Sequence, residues 1–241
     1  MRVTGIIPVF NHERWVNQAI DSMLKQTRPP ERLVIVDDAS TDGSFDAVLR
    51  RLKNPHNCDR YIQGTIFPYK TEIRLTRLSE NGGPALSRNI GIELGEADIY
   101  AFLDSDDLYL PTKIERSLPK FDNPAVGVVY SDYYTFNDNG LELKNFKEPF
   151  SAKLFSECIV NCDSLVHRRV FEQCGNFDES LRCVEDFDLW IRIAEKYLIT
   201  HVPEILLKIR VGEHSSSFTV NKTVWEGCYR RVFEKRRLRN G

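Results

Sequence analysis

An α/β fold, with a mixed but mostly parallel central sheet and helices on both faces, is what the sequence predicts. Two observations carry the prediction. Buried-strand runs alternate with stretches whose apolar residues recur at helical spacing, and β-α-β alternation argues a parallel sheet covered on both sides. Two of these runs also stop abruptly at acids, at Asp37-Asp38 and at Asp104-Ser105-Asp106-Asp107. Ligands in open α/β sheets gather at the carboxyl ends of strands, so these acids are the first candidates for function.

Taken in order, Val3 to Val9 is an apolar run that predicts a first buried strand ended by Pro8. Asn11 or His12 is placed to cap the next helix, in which Trp15, Val16, Ala19, Ile20, Met23 and Leu24 form one apolar stripe. Leu33 to Val36 predicts a second strand, and Phe45, Val48, Leu49 and Leu52 a second helix. Residues 54–70 have no clear period and are expected to be a loop. Glu72 to Leu78 alternates as a third strand; Asn81-Gly-Gly-Pro84 then marks a turn, with Pro84 at the start of a helix over Ala85 to Leu94. The strand Ile99 to Leu103 follows.

Beyond Asp107 the pattern changes. Lys113 to Phe121 is expected to be helical, and Val126 to Phe136 a long strand closed by the hairpin-type turn Asn137-Asp-Asn-Gly140, with mixed or antiparallel pairing. Cys183 to Tyr197 predicts an amphipathic helix, Ile205 to Val211 a late strand, and Val220 to Leu238 a helix rich in Lys and Arg. The expected organisation is a single domain over 1–218, with a nucleotide-binding half at about 1–107 and an acceptor half at about 108–218, followed by a basic helix over 219–241.

A net charge of −2 gives no electrostatic case for whole-protein nucleic-acid binding. No apolar stretch approaches membrane-spanning length and residues 1–10 lack a signal pattern, so a cytoplasmic protein is expected. Six cysteines are then expected as buried thiols in a reducing compartment. Cys158, Cys162 and His167 make a zinc site conceivable, without the paired spacing of a structural one.

In an extended chain Asp104 and Asp106 share one face while Ser105 points away. Two carboxylates there repel unless a cation sits between them, and a hard divalent ion suits oxygen ligands. The other reading is a polar turn that caps the next helix, a role open to Asp107.

Six motifs together carry a resemblance: Pro8-Val-Phe-Asn11, Val36-Asp-Asp-Ala-Ser-Thr-Asp-Gly43, Asn81-Gly-Gly-Pro-Ala-Leu-Ser-Arg-Asn-Ile-Gly91, Leu103-Asp-Ser-Asp-Asp107, Gly175-Asn-Phe-Asp-Glu179 and Glu185-Asp-Phe-Asp-Leu-Trp190. In this order, over roughly 3–218, the chain resembles the family 2 glycosyltransferases of the GT-A (Rossmann-like) fold, inverting enzymes that use nucleotide-diphosphate sugars. The resemblance implies a divalent ion, Mn²⁺ or Mg²⁺, at the Asp104/Asp106 cluster. Asp106 is then the closer ligand, and Asp104 meets the ribose or the ion. It implies a donor site made by Pro8, Val9, Phe10, Asn11, Asp38, Asn81, Gly82, Arg88, Asp104 and Ser105, with Asp38 on the base and Asp37 in a structural role unless the two exchange. Glu185 and Asp186 match the position of the catalytic base; adjacent helical residues point about 100° apart, which favours Asp186 as base and Glu185 as a structural or acceptor ligand. Trp190 is expected in the core with partial exposure to the cleft. His214 matches a late-loop metal ligand, although its spacing from Arg210 is longer than usual, and Ser215 to Ser217 resembles lid material.

The implied activity is transfer of a sugar, with UDP as the expected carrier, to a hydroxyl of a surface or lipid-linked glycan. Six Lys or Arg between Arg230 and Arg239 suit a peripheral contact with anionic lipid. Two rivals share the fold: a catalytically inactive nucleotide-sugar or glycan-binding module, and a nucleotidyltransferase. The intact Asp104, Asp106 and Asp186 set argues against the first. Pro8-Val-Phe-Asn-His12, where the second needs a Gly-rich basic loop, argues against that.

Overall fold

The computed structural model describes residues 1–140, 142–145, 160–212 and 221–240. The sheet is mixed. Its parallel heart is β1 (Val3–Val9), β2 (Arg32–Asp37), β5 (Glu72–Arg77) and β6 (Ile99–Phe102), with β1 between β2 and β6 and β5 outside β2. β10 (Leu165–His167) runs antiparallel to β6 and β8 (Val126–Phe136), and β11 (Leu198–Arg210) lies parallel to β8. β7 (Leu108–Tyr109) pairs with β11, and β9 (Glu142–Asn145) with β8 across the expected hairpin turn.

Alternation along β1 decides which helix covers which face. Val3, Ile7 and Val9 pack with α1 (Val16–Leu24) and α2 (Ser44–Leu49) on one face. Ile6 packs on the other, with α3 (Gly83–Gly95), α5 (Arg168–Cys174) and α6 (Glu185–Ala194). α4 (Lys113–Ser117) continues into a 3₁₀ turn at Leu118–Asp122. The last helix, α7 (Lys222–Asn240), lies on α6 through Cys228 and Val232 against Phe187 and Ile191. Among the described residues no helix is long and apolar enough to cross a membrane.

Several local expectations need correction. Residues 54–70 are not one loop: β3 (Lys53–Asn57) and β4 (Ile62–Thr65) form an antiparallel hairpin on the edge of the sheet. Its outer strand is exposed throughout, so no buried face imposed a hydrophobic period. Neither Asn11 nor His12 caps α1 with its side chain; the His12 carbonyl accepts from the Trp15 and Val16 N–H groups instead. The helix expected from Cys183 starts at Glu185, because Val184 adopts a left-handed conformation with φ +55°. Trp190 is fully buried, with no exposure to the cleft. His167 caps α5 by accepting from the Arg169 N–H at 3.2 Å, while Cys158 lies outside the described residues.

α3 crosses β1 so closely that a Cβ on Gly91 would fall 2.4 Å from Ile6 Cγ2. We expect Gly91→Ala to lower unfolding free energy by about 1–3 kcal/mol through overpacking, read as a lower urea midpoint at unchanged slope.

Candidate functional site

The carboxyl ends of β1, β2 and β6 open into a cleft of about 550 Å³. Pro8, Val9 and Phe10 form one wall, where Phe10 is 43% exposed, high for an aromatic. Asp38 follows β2 and is buried; its carboxylate accepts from the Gly82 N–H at 2.7 Å, the Gly83 N–H at 2.8 Å and Asn81 Nδ2 at 3.0 Å. Gly83 has φ +87°, a backbone conformation that a side chain would strain. Burial raises the Asp38 carboxyl and the two N–H donors oppose that rise. Asp37 turns away to the Ser40 N–H and Arg77. Asn11 Oδ1 accepts from the Thr41 N–H at 2.8 Å, which ties the first loop to the second; Asn11 does not line the cleft.

The acidic segment after β6 is a turn, closed by the Asp107 N–H donating to the Asp104 carbonyl at 3.0 Å. The extended alternation expected for Asp104 and Asp106 therefore fails. Asp104, Asp107 and Asp163 instead bring carboxylate oxygens within 4.8 Å of one another, a set suited to a hard cation. Asp163, which arrives from the loop before β10, also accepts the Asp104 N–H at 2.7 Å. Burial and the nearby Asp104 charge push the Asp163 carboxyl up to about 7. Asp107 is also raised, by burial first and then by Asp163. Asp107 accepts the Arg210 N–H at 2.7 Å and caps no helix. Ser105 is buried, with Oγ 2.7 Å from His12 Nδ1, and Asp106 lies 3.9 Å from the same ring nitrogen. Burial lowers the His12 pKa.

Arg210 braces this turn from β11. Its Nε donates to the Asp106 carbonyl at 3.0 Å, Nη1 to Asp138 at 2.5 Å and Nη2 to Gln18 at 3.1 Å. The guanidinium also stacks 4.3 Å from the Phe136 ring centroid.

The far wall starts from Arg88 on α3. This buried side chain donates to Asp104 at 2.7 Å and to Glu185 at 2.6 Å, joining the acidic turn to the start of α6. Glu185 is thereby held against Arg88 with 8% of its side-chain surface exposed, and it lines the cleft together with the less buried Asp186. Burial, then the neighbouring Glu185 charge, pushes the Asp186 carboxyl up to about 7. Asn89 holds the Phe177 loop beside it, donating to the Phe177 carbonyl at 3.0 Å.

Pro8, Val9, Phe10, Asp38, Asn81, Arg88, Asp104, Ser105, Asp106, Glu185 and Asp186 thus line one cleft, with Gly82 bonded to Asp38 at its edge. His214 and Ser215 to Ser217 lie outside the described residues. Sequence reasoning missed Asp163, His12 as a cleft residue, Arg182 and Trp225. Asp163 sits between Cys162 and Ser164, and nothing beside it in the sequence marks its partner, the Asp104 N–H.

Removing the Arg88 fork leaves two acids facing each other without a cation. We expect Arg88→Met to cost about 3–5 kcal/mol by chemical denaturation. Adding Glu185→Gln to it should recover part of that loss.

The family model described as glycosyl transferase family 2 matches residues 4–184, ending one residue before Glu185. A Rickettsia felis protein named as an uncharacterized glycosyltransferase is 30% identical over 222 residues, covering 90% of this chain and 34% of its own length. The chain thus spans about a third of that relative. Among solved structures, S. aureus TarS 1–349 in complex with UDP-GlcNAc superposes with TM-score 0.71 at 20% identity, covering 94% of this chain and 64% of the other. The mannosyltransferase PcManGT from Pyrobaculum calidifontis, in complex with GDP-Man and Mn²⁺, gives TM-score 0.68 at 19% identity, covering 89% and 58%. These two likenesses are of fold. The family match runs through the Asp38 loop, the Arg88 helix and the acidic turn alike, and on it the chain belongs to glycosyl transferase family 2.

Proposed function

We propose that the protein transfers a sugar, with inversion, from a nucleotide-diphosphate donor to an acceptor hydroxyl. UDP is the preferred carrier and a surface or lipid-linked glycan the acceptor class. The observation that carries this reading is the Arg88 fork, which holds the acidic turn and the start of α6 against one cleft at 2.7 and 2.6 Å. The two fold neighbours hold UDP-GlcNAc, and GDP-Man with Mn²⁺, which supports a nucleotide-sugar donor and a divalent ion.

The base of the nucleotide would lie between Pro8 to Phe10 and Asp38, with Asn81 and Gly82 shaping that end. Ser105 and Asp104 would face the ribose and diphosphate. Asp104 and Asp106 would hold Mn²⁺ or Mg²⁺ on the open side, since the Asp104 side chain is 37% exposed. The buried Asp107 and Asp163 would support the turn from behind. When bound, such an ion neutralises charge growing on the diphosphate leaving group. Asp186 would take the proton of the acceptor hydroxyl as its oxygen attacks the anomeric carbon. The bond from that carbon to the diphosphate oxygen breaks with its electron pair on the leaving group. Glu185, held by Arg88, would keep Asp186 in place.

The contact with anionic lipid has a narrower basis than the run of six basic residues implied. Arg236 and Arg239 reach Glu195 at 3.9 and 3.6 Å, and Lys235 pairs with Asp178. Arg231 donates to the Ser180 carbonyl at 3.2 Å, and Arg230 and Arg237 remain as exposed basic residues for a membrane surface.

Calorimetric titration of UDP and GDP, each with Mn²⁺ and with EDTA, tests the donor half. UDP should bind only with the ion, and Asp106→Ala should lose that binding while Asp163→Asn weakens it through a loosened turn. Binding of neither nucleotide under any condition would sink the donor assignment.

The catalytic half has a pH signature. A base pushed up to about 7 must be deprotonated to act, so kcat/KM should rise with pH through a limb near 7. Asp186→Asn should lower kcat by about 100- to 10,000-fold. The linkage runs the other way for stability. An acid raised from 3.8 to about 7 holds its proton more tightly in the folded chain, so folding stability falls as pH climbs through that window. Asp186→Asn should therefore unfold at a higher temperature than wild type at alkaline pH.

A further inference from the structure

We propose that Trp225, on the C-terminal helix α7, is the platform on which a pyranose ring of the acceptor lies during transfer. The inference rests on the glycosyl-transfer reading above and adds the acceptor subsite to it. Trp225, Cys228, Tyr229, Val232 and Phe233 recur at helical spacing along α7 and face α6. Cys228 and Val232 are sealed against Leu181, Phe187 and Ile191. Trp225, at the N-terminal end of the stripe, is not sealed. It is half-buried, packs against the cluster that holds Cys183 and Val184, and lines the same cleft as Asp186.

The indole is held in place. Tyr229 stacks on it with centroids 6.0 Å apart and rings 29° from parallel, and Phe187 abuts Tyr229 at 5.5 Å. Farther along, α7 is tied down where Lys235 pairs with Asp178 and Arg231 donates to the Ser180 carbonyl at 3.2 Å. A flat aromatic fixed this firmly, yet left facing a cleft, is a recognition surface and not only core.

The chemistry of the wall selects the occupant. An acceptor hydroxyl must come within hydrogen-bond reach of the base. The ring that carries it therefore lies beside Asp186, in a cleft that Val184, Cys183 and Trp225 also line. A sugar fits both demands, because its C–H face packs on an indole while its hydroxyls reach Asp186 and the exposed Arg182. The nucleotide end, at Pro8 to Phe10 and Asp38, is built from different elements, so the two subsites are separable by mutation.

The test uses the full chain, with UDP and Mn²⁺ titrated first. A panel of p-nitrophenyl glycosides of hexoses and N-acetylhexosamines is then titrated onto the nucleotide complex of wild type, Trp225→Ala and Trp225→Phe. We expect at least one glycoside to bind wild type, Trp225→Ala to weaken it about tenfold, and Trp225→Phe to retain most of the affinity, with UDP binding unchanged in all three. Unchanged UDP binding also shows that the variants are folded. UDP bound alike but glycoside affinity indifferent to Trp225→Ala, or no glycoside bound by wild type, overturns the platform and leaves the donor reading intact. Failure of UDP itself to bind wild type overturns both.

Discussion

The fork of Arg88 between Asp104 and Glu185 is the constraint on which the rest of the site depends. One buried guanidinium reaches two acids that lie 16 and 97 positions farther along the chain. A buried ion pair loses so much hydration that it seldom adds net stability. Its effect here is positional. A fork with fixed geometry sets two acids at defined points, which a lysine on a flexible stem would not do. The Nε of the same side chain and the neighbouring Ser87 Oγ are buried without a hydrogen-bond partner among the described residues, and both residues line the cleft. Buried polar groups are usually satisfied, which makes these two cleft-lining atoms available to a polar group in the cleft.

Behind the fork, the acidic turn is held by groups that contribute backbone order and not only charge. Asp163 takes the N–H of Asp104, Asp107 takes the N–H of Arg210, and Arg210 returns a donor to the carbonyl of Asp106. The turn is thus fastened on both sides, by the β10 loop and by β11. The same arrangement crowds carboxylates in a buried place, which raises Asp107 and Asp163 above the ordinary range. Carboxylates perturbed in this way, by burial and by one another, cluster at functional sites.

The parallel heart of the sheet was legible because β1, β2 and β6 are apolar runs, β5 alternates, and α1 and α2 each carry one apolar stripe. The Asp38 loop, the Gly82-Gly83 turn and the acidic turn were legible for a related reason. Each is a contiguous motif whose residue types report a local geometry. The edge hairpin β3–β4 was not legible, since a strand exposed throughout needs no hydrophobic period. Asp163, Arg210 and Trp225 were hidden differently. Their partners lie 59 and 103 positions away for the first two, and Trp225 packs on a cluster drawn largely from residues 181–191, so little near them in the chain marks the contact. The trimmed start of α6 came from one left-handed residue, Val184, a conformation that its side chain disfavours and no pattern announces.

That left-handed residue bears on the difference between the two acids after it. It turns the chain so that α6 begins at Glu185, and from there successive side chains diverge by about 100°. Glu185 goes to the guanidinium and keeps only 8% of its side-chain surface, while Asp186, beside it in the cleft lining, is less buried. The Arg88 charge is committed by hydrogen bonds to Glu185 and Asp104, so Asp186 experiences burial and the Glu185 charge more strongly than Arg88's attraction. Two neighbouring carboxylates thereby meet different surroundings. Glu185 is ion-paired with Arg88, while burial and the Glu185 charge push the Asp186 carboxyl up to about 7, which suits the proposed role of a base on the acceptor hydroxyl.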